Sequence, residues 1–143
     1  MTKDLNKPII KVVAGLVHFK NDNSNQVAVF RRSGPGPGAG DWEFPGGKLE
    51  PGESEHQALQ RELQEELGIT SSVEEFIAES RTELEKKIIL LRLYSVKADH
   101  FNFQLVDHDA YEWVSINELE KVKLSQPDQP FVAILKNKYI PNE

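Results

Sequence analysis

Three glutamates, Glu62, Glu65 and Glu66, crowd one short stretch of the chain, Arg61-Glu62-Leu63-Gln64-Glu65-Glu66-Leu67. At 100° per residue a helix would place all three within an arc of about 100°, beside a second arc formed by Leu59, Leu63 and Leu67. Carboxylates one turn apart, near 5.5 Å, repel by roughly 3 kcal/mol per pair at an effective dielectric of about 20. Arg61 is the helix's single basic residue. Three hard oxygen donors with no histidine among them suit Mg2+ or Mn2+ and not zinc. In isolation such a run is more often a solvated acidic surface, so its surroundings must decide between the two readings.

The elements that would hold these acids can be read from local signals. Ser54 with Gln57 fits a capping box, and Gly68 stands where a left-handed C-terminal cap would, so the spacing predicts a helix over 54–67. Residues 9–19 and 27–30 read as strands joined in a hairpin across the polar stretch 21–25. Further strands are expected over 73–81, 87–96 and 110–114. Ser115 with Glu118 predicts a short capped helix, and Pro130 opens a last one carrying Phe131, Ile134 and Leu135. The Gly/Pro-rich stretch 34–40 reads as a loop, and Pro45-Gly46-Gly47 as a second break. This order predicts a single α/β domain over 1–143, with a mixed central sheet flanked by helices.

Composition narrows the chemistry. The chain has 143 residues and no cysteine, which removes disulfides, thiolate zinc sites, iron–sulfur clusters and a cysteine nucleophile. A net charge of −6 is the wrong sign for gripping a nucleic-acid backbone, so long DNA or RNA is not an expected partner. No apolar run approaches the roughly 20 residues of a membrane span, and Met1-Thr2-Lys3-Asp4 leads into no signal core. The expectation is a soluble, cytoplasmic protein without membrane partners, either a monomer or a homodimer. The four histidines show no metal-ligand spacing, and no Gly-x-Ser-x-Gly elbow is present. The 34–40 loop is a poor phosphate cradle because its prolines remove amide donors and no Gly-Lys-Ser/Thr follows.

The surroundings of the acids settle their reading. Gly47, Glu53, Arg61, Glu62, Leu63, Glu65, Glu66, Gly68 and Ile69 stand in the pattern Gly-x5-Glu-x7-Arg-Glu-Leu-x-Glu-Glu-x-Gly-Ile. This resembles the Nudix box at every fixed position. The preceding Trp42-Glu43-Phe44-Pro45-Gly46-Gly47 and the pair Arg31-Arg32 resemble the corresponding stretches of MutT-type members. The likeness is tight over 12–69 and looser to about 135.

The resemblance implies a Nudix-type α/β/α sandwich that hydrolyses a nucleoside diphosphate linked to another group. For MutT-type members the products are a nucleoside monophosphate and pyrophosphate. It further implies that Glu62, Glu65 and Glu66 ligate Mg2+, or Mn2+ in its place, with the Gly46 carbonyl as another ligand. Glu62 or a neighbouring carboxylate would take the proton from water, and Glu53 with Arg61 would orient the loop and the acids. Arg32 matches a phosphate-contacting arginine, and Phe44 belongs to the stretch expected at the substrate. Asp107 falls where related enzymes keep a downstream carboxylate for metal or base, with Asp109 and Glu112 as close alternatives.

The expected partner is thus a small nucleotide. Asp128, in Pro127-Asp128-Gln129-Pro130, matches the position from which MutT-type enzymes reach the base edge. Enzymes specific for 8-oxoguanine carry asparagine there. An ionised aspartate only accepts hydrogen bonds, which suits the amino group of cytosine or the N1/N2 edge of guanine. Aspartate here and His108 beside Asp107 look more like the CTP-preferring branch. The proline and tyrosine marks of ADP-ribose and dinucleoside polyphosphate hydrolases are absent downstream of the box, where Leu84 and Lys86-Lys87 stand.

Overall fold

The strand Ile9–Asn21, β1, is continuously apolar from Val12 to Val17, and residues 13–17 are buried because both faces of the strand are covered there. In the computed structural model, which describes residues 6–21 and 24–140, this strand organises the sheet. Its first half runs parallel to β6 (Ile88–Ala98), Ile9 facing Ile88 and Val17 facing Val96, and antiparallel to the short β4 (Gly46–Lys48). Its second half turns back into β2 (Ser24–Arg32) with His18 facing Val27. The hairpin expected from sequence is therefore present, although its turn at Asp22-Asn23 lies outside the described residues, as does Met1-Thr2-Lys3-Asp4.

β2 in turn pairs with β3 (Trp42–Glu43) and with β7 (His108–Ser115), and β5 (Ser71–Glu83) borders β6. Among the described strands the β1–β6 pairing is parallel and the other pairings are antiparallel, so the sheet is mixed. β3 and β4 have no counterpart among the elements expected from sequence: they flank and include the Pro45-Gly46-Gly47 break, held by pairing with β2 and β1 and not by local propensity.

Alternation along β1 and β2 divides the core into two. Val13, Val17, Ala28 and Phe30 face one side, where α1 (Glu55–Leu67) buries Ala58, Leu59, Leu63 and Leu67. Ala14, Leu16, Val27 and Val29 face the other, against Phe131 and Leu135 of α2 (Phe131–Tyr139). The result is the expected α/β/α layering. The capping box on α1 is formed as read, Ser54 Oγ accepting from the Gln57 amide at 3.1 Å, and Gly68 closes the helix at φ 70°. The segment Ile116–Lys121 differs from expectation: it is a 3-10 helix, and the Ser115 side chain makes no capping bond. Among the described residues no helix is long and apolar enough to cross a membrane.

Candidate active site on the first helix

β4 lies between β1 and the outer edge of α1, and it approaches both closely. A Cβ on Gly46 would sit 1.9 Å from the Val13 carbonyl oxygen, and one on Gly47 would sit 2.3 Å from the Glu62 carboxylate. Gly46 thus lets β4 press onto the backbone of β1, and Gly47 lets an acid of the helix rest directly on the backbone of β4.

Arg61 gathers most of the acids around it. Its Nε and Nη2 donate to the two oxygens of Glu53 at 2.7 and 3.0 Å, and Nη1 donates to Glu62 at 3.2 Å and Glu65 at 3.1 Å. Nη2 also reaches the Lys48 carbonyl at 3.1 Å, while Glu53 accepts from the Glu50 amide at 2.9 Å. The planar guanidinium, with five donors, pins the loop after β4 to the helix. The hydrogen bond from Arg61, followed by that from the Glu50 amide, holds Glu53 below the usual carboxylate range. Sequence reading took the glutamates to be short of partners. For Glu62 and Glu65 the structure corrects this, since one arginine serves both.

Glu66 is the exception. Its Oε1 is buried without a hydrogen-bond partner. Burial, with Glu62, Glu43 and Asp107 adding like charge, pushes its pKa up to about 8, and Arg32 opposes this only in part. Burial also raises Glu62, against the pull of Arg61, with Glu65 and Asp107 adding to the rise. Among the described residues no three acid or imidazole groups are already drawn together around a common point. The donor set still fits a hard divalent cation: only oxygen donors are offered, the charge is in excess, and one buried oxygen lacks any partner.

Arg32, at the end of β2, faces this acidic patch. Its Nη2 donates to both oxygens of Glu43 at 3.0 and 3.2 Å, and its side chain is half-exposed. Burial works against its charge, but Glu43 outweighs that and, with Glu66 and Asp107, raises its pKa. The Asp107 carbonyl accepts from the Ser33 amide at 3.1 Å and from Ser33 Oγ at 2.9 Å, which ties Asp107 to the end of β2. Of the two alternatives to Asp107, Asp109 is ion-paired with Arg31 at 2.6 Å and Glu112 faces Val29 across the β2–β7 ladder.

Phe44 is placed differently from expectation. Its side chain is 3% exposed and packs in the core toward Phe131, so a substrate could meet only its backbone. Beside it lies Asp128, also 3% exposed. Asp128 Oδ2 accepts from Ser125 Oγ, whereas Oδ1 is buried without a hydrogen-bond partner. Burial drives its pKa up to about 7 although Ser125 and the Phe44 amide favour the ionised form. The segment is anchored by Ser80 Oγ, which donates to the Pro127 carbonyl at 2.7 Å, and by the Ser125 amide, which donates to the Trp42 carbonyl at 2.8 Å. Two polar residues of this region were missed as site residues, Glu43 and His108. Each sits on a strand whose neighbours only the sheet register reveals.

The sequence matches the NUDIX domain family over residues 10–135. It is 37% identical to a CTP pyrophosphohydrolase of Escherichia coli strain K12 over 124 residues, covering 87% of this chain and 89% of the relative. It is 31% identical to the 8-oxo-dGTP diphosphatase of the same strain over 127 residues, covering 89% and 96%. The solution structure of the E. coli ORF135 protein superimposes with a TM-score of 0.79 at 34% identity, covering 94% of each chain. Enzymes of this family generally depend on a divalent metal. On the family match, the box and the fold together, the chain belongs to the Nudix hydrolases.

Proposed function

We propose that the protein hydrolyses a nucleoside triphosphate to the monophosphate and pyrophosphate with Mg2+, acting in nucleotide-pool sanitation on CTP or dCTP in preference to 8-oxo-dGTP. The observation that carries this reading is the meeting of three features: an acidic helix face with a partnerless buried oxygen on Glu66, the guanidinium of Arg32 facing it, and a second partnerless buried oxygen on Asp128. Acids alone would repel a triphosphate; acids with a bound cation and an arginine would hold one.

Glu62, Glu65 and Glu66, with the Gly46 carbonyl, would hold the metal, and Arg61 would yield part of its grip on Glu62 and Glu65 while keeping Glu53. Bound Mg2+ supplies charge neutralisation at the phosphate oxygens and a more acidic water. Arg32 binds the phosphate chain and turns it toward α1. Water oxygen attacks phosphorus, the bond to the pyrophosphate oxygen breaks, and a carboxylate oxygen of Glu62 or Asp107 receives the water's proton. Asp128 reads the base. Ionised, it accepts from the exocyclic amino group of cytosine; protonated, as a pKa near 7 permits, it can donate as well.

The test is incubation with CTP, dCTP, 8-oxo-dGTP and ADP-ribose in the presence of Mg2+, following pyrophosphate. Pyrophosphate from CTP or dCTP at the highest kcat/KM supports the reading. A higher kcat/KM for 8-oxo-dGTP would reassign the base, and AMP with ribose phosphate from ADP-ribose alone would overturn the reading. Binding without any product would make the protein a nucleotide-binding module.

A further inference from the structure

His108 opens β7 with its side chain 1% exposed. Its ring packs on Phe30 with centroids 5.5 Å apart, and Nδ1 has no hydrogen-bond partner. A phenylalanine would fill such a space without leaving a bare buried nitrogen, which carries a desolvation cost. The polar contact that the histidine gains is one: Nε2 lies 2.9 Å from Glu43 Oε2 and, facing a carboxylate oxygen, must be the donor.

Glu43 has a side chain only 14% exposed, and both its oxygens also accept from Arg32 Nη2. The three residues come from adjacent strands. Glu43 faces Phe30 across the β2–β3 ladder, Arg32 faces His108 across the β2–β7 ladder, and the β2–β7 register shifts between Arg31 and Arg32. An arginine alone would leave the plane of the Glu43 carboxylate free to turn. A second donor on Oε2, from a ring locked in the core, fixes that plane and so the direction of the guanidinium.

We propose that His108 is a positioning residue: by donating Nε2–H to Glu43 it fixes the carboxylate that orients Arg32 toward the acidic face of α1, so that a nucleotide's phosphate chain meets a pre-aimed guanidinium. This rests on Arg32 being the phosphate ligand. Pre-orientation acts on substrate capture, so the relay acts on KM more than on kcat.

The experiment is steady-state kinetics with CTP and Mg2+ on His108→Phe, His108→Gln, Glu43→Gln, Arg32→Ala and the double variant His108→Phe/Arg32→Ala, each checked for folding by thermal melting. His108→Phe is expected to raise KM about tenfold with kcat within about threefold, and His108→Gln, which keeps a donor, to recover most of the loss. Glu43→Gln is expected to raise KM as well, which keeps the relay testable should His108→Phe not fold. The double variant should have the KM of Arg32→Ala, because the relay has nothing left to aim. A KM unmoved by His108→Phe while Arg32→Ala raises it, or effects that multiply in the double variant, would overturn the relay and leave the phosphate role of Arg32 standing. A KM unmoved by Arg32→Ala would remove that phosphate role and the relay with it.

Discussion

The two ends of the acidic face on α1 are built on opposite terms. Arg61 itself gives Glu53 two hydrogen bonds and Glu62 and Glu65 one each. One turn away Oε1 of Glu66 is buried without a partner, and the counter-charge that acts on it, Arg32, is committed to Glu43. The satisfied end behaves as a clamp that fixes the loop after β4 to the helix. The unsatisfied end holds excess negative charge that a cation would relieve. A fold keeps such a group at a cost in stability, which is the mark of a site built for something other than stability.

The sharpest way to break this contrast is to neutralise the acids without changing their shape. Glu62→Gln and Glu66→Gln are each expected to lower kcat about a hundredfold or more while the fold persists, measured by pyrophosphate release and circular dichroism. Glu66→Gln should also leave the metal-free protein at least as heat-stable as the wild type, since with its pKa pushed up to about 8 the Glu66 carboxyl is mostly protonated near neutral pH and the amide replaces it with little change of charge or shape. A marked fall in Tm would place Glu66 with the satisfied end.

The clamp should answer differently. Arg61→Leu is expected to lower kcat about tenfold and Tm by about 5 °C, because Glu53, Glu62 and Glu65 lose their common partner together. Loss of activity with no change in Tm would mean that Arg61 acts on substrate and not through the acids.

Asp128, beside Phe44, repeats the pattern of Glu66, and its titration has a defined sign. Its pKa rises from 3.8 in the unfolded chain to about 7 in the native state, so between these values the folded protein keeps a proton that the unfolded chain has released. Stability must therefore decline as pH rises through that window and level off above it. Asp128→Asn should flatten this slope in urea melts taken from pH 4 to pH 8, and should shift the ratio of kcat/KM for CTP and 8-oxo-dGTP several-fold with a smaller change in overall rate. An unchanged ratio would remove Asp128 from the base pocket.

The smallest effect belongs to the frame that carries both ends. Ser54→Ala removes the cap on α1 and should cost about 1 kcal/mol of stability in a denaturant melt, with kcat hardly altered.

The sequence makes one part of this molecule far more legible than the other. The helix 54–67 could be read with both its ends because capping and leucine spacing are local signals, and Pro45-Gly46-Gly47 could be read as a break. The strands those glycines form could not, since β4 exists only by pairing with β1. Glu53 and Arg61 were paired by the motif, but the reach of Arg61 to Glu62 and Glu65 depends on rotamers that spacing does not specify. Glu43 and His108 lie 65 residues apart and meet only across β2. Phe44 reads as a substrate contact from its neighbours in sequence, whereas its side chain, just after β3, packs in the core toward Phe131.

The central claim is that the unsatisfied end of α1 is a divalent-cation site, and titration of the protein with Mn2+ followed by electron paramagnetic resonance tests it without any turnover. The expected result is stoichiometric loss of the free Mn2+ signal with the wild type, competition by Mg2+, and affinity weakened at least about tenfold in Glu66→Gln. An undiminished free signal, or equal affinity in the wild type and Glu66→Gln, would contradict the account.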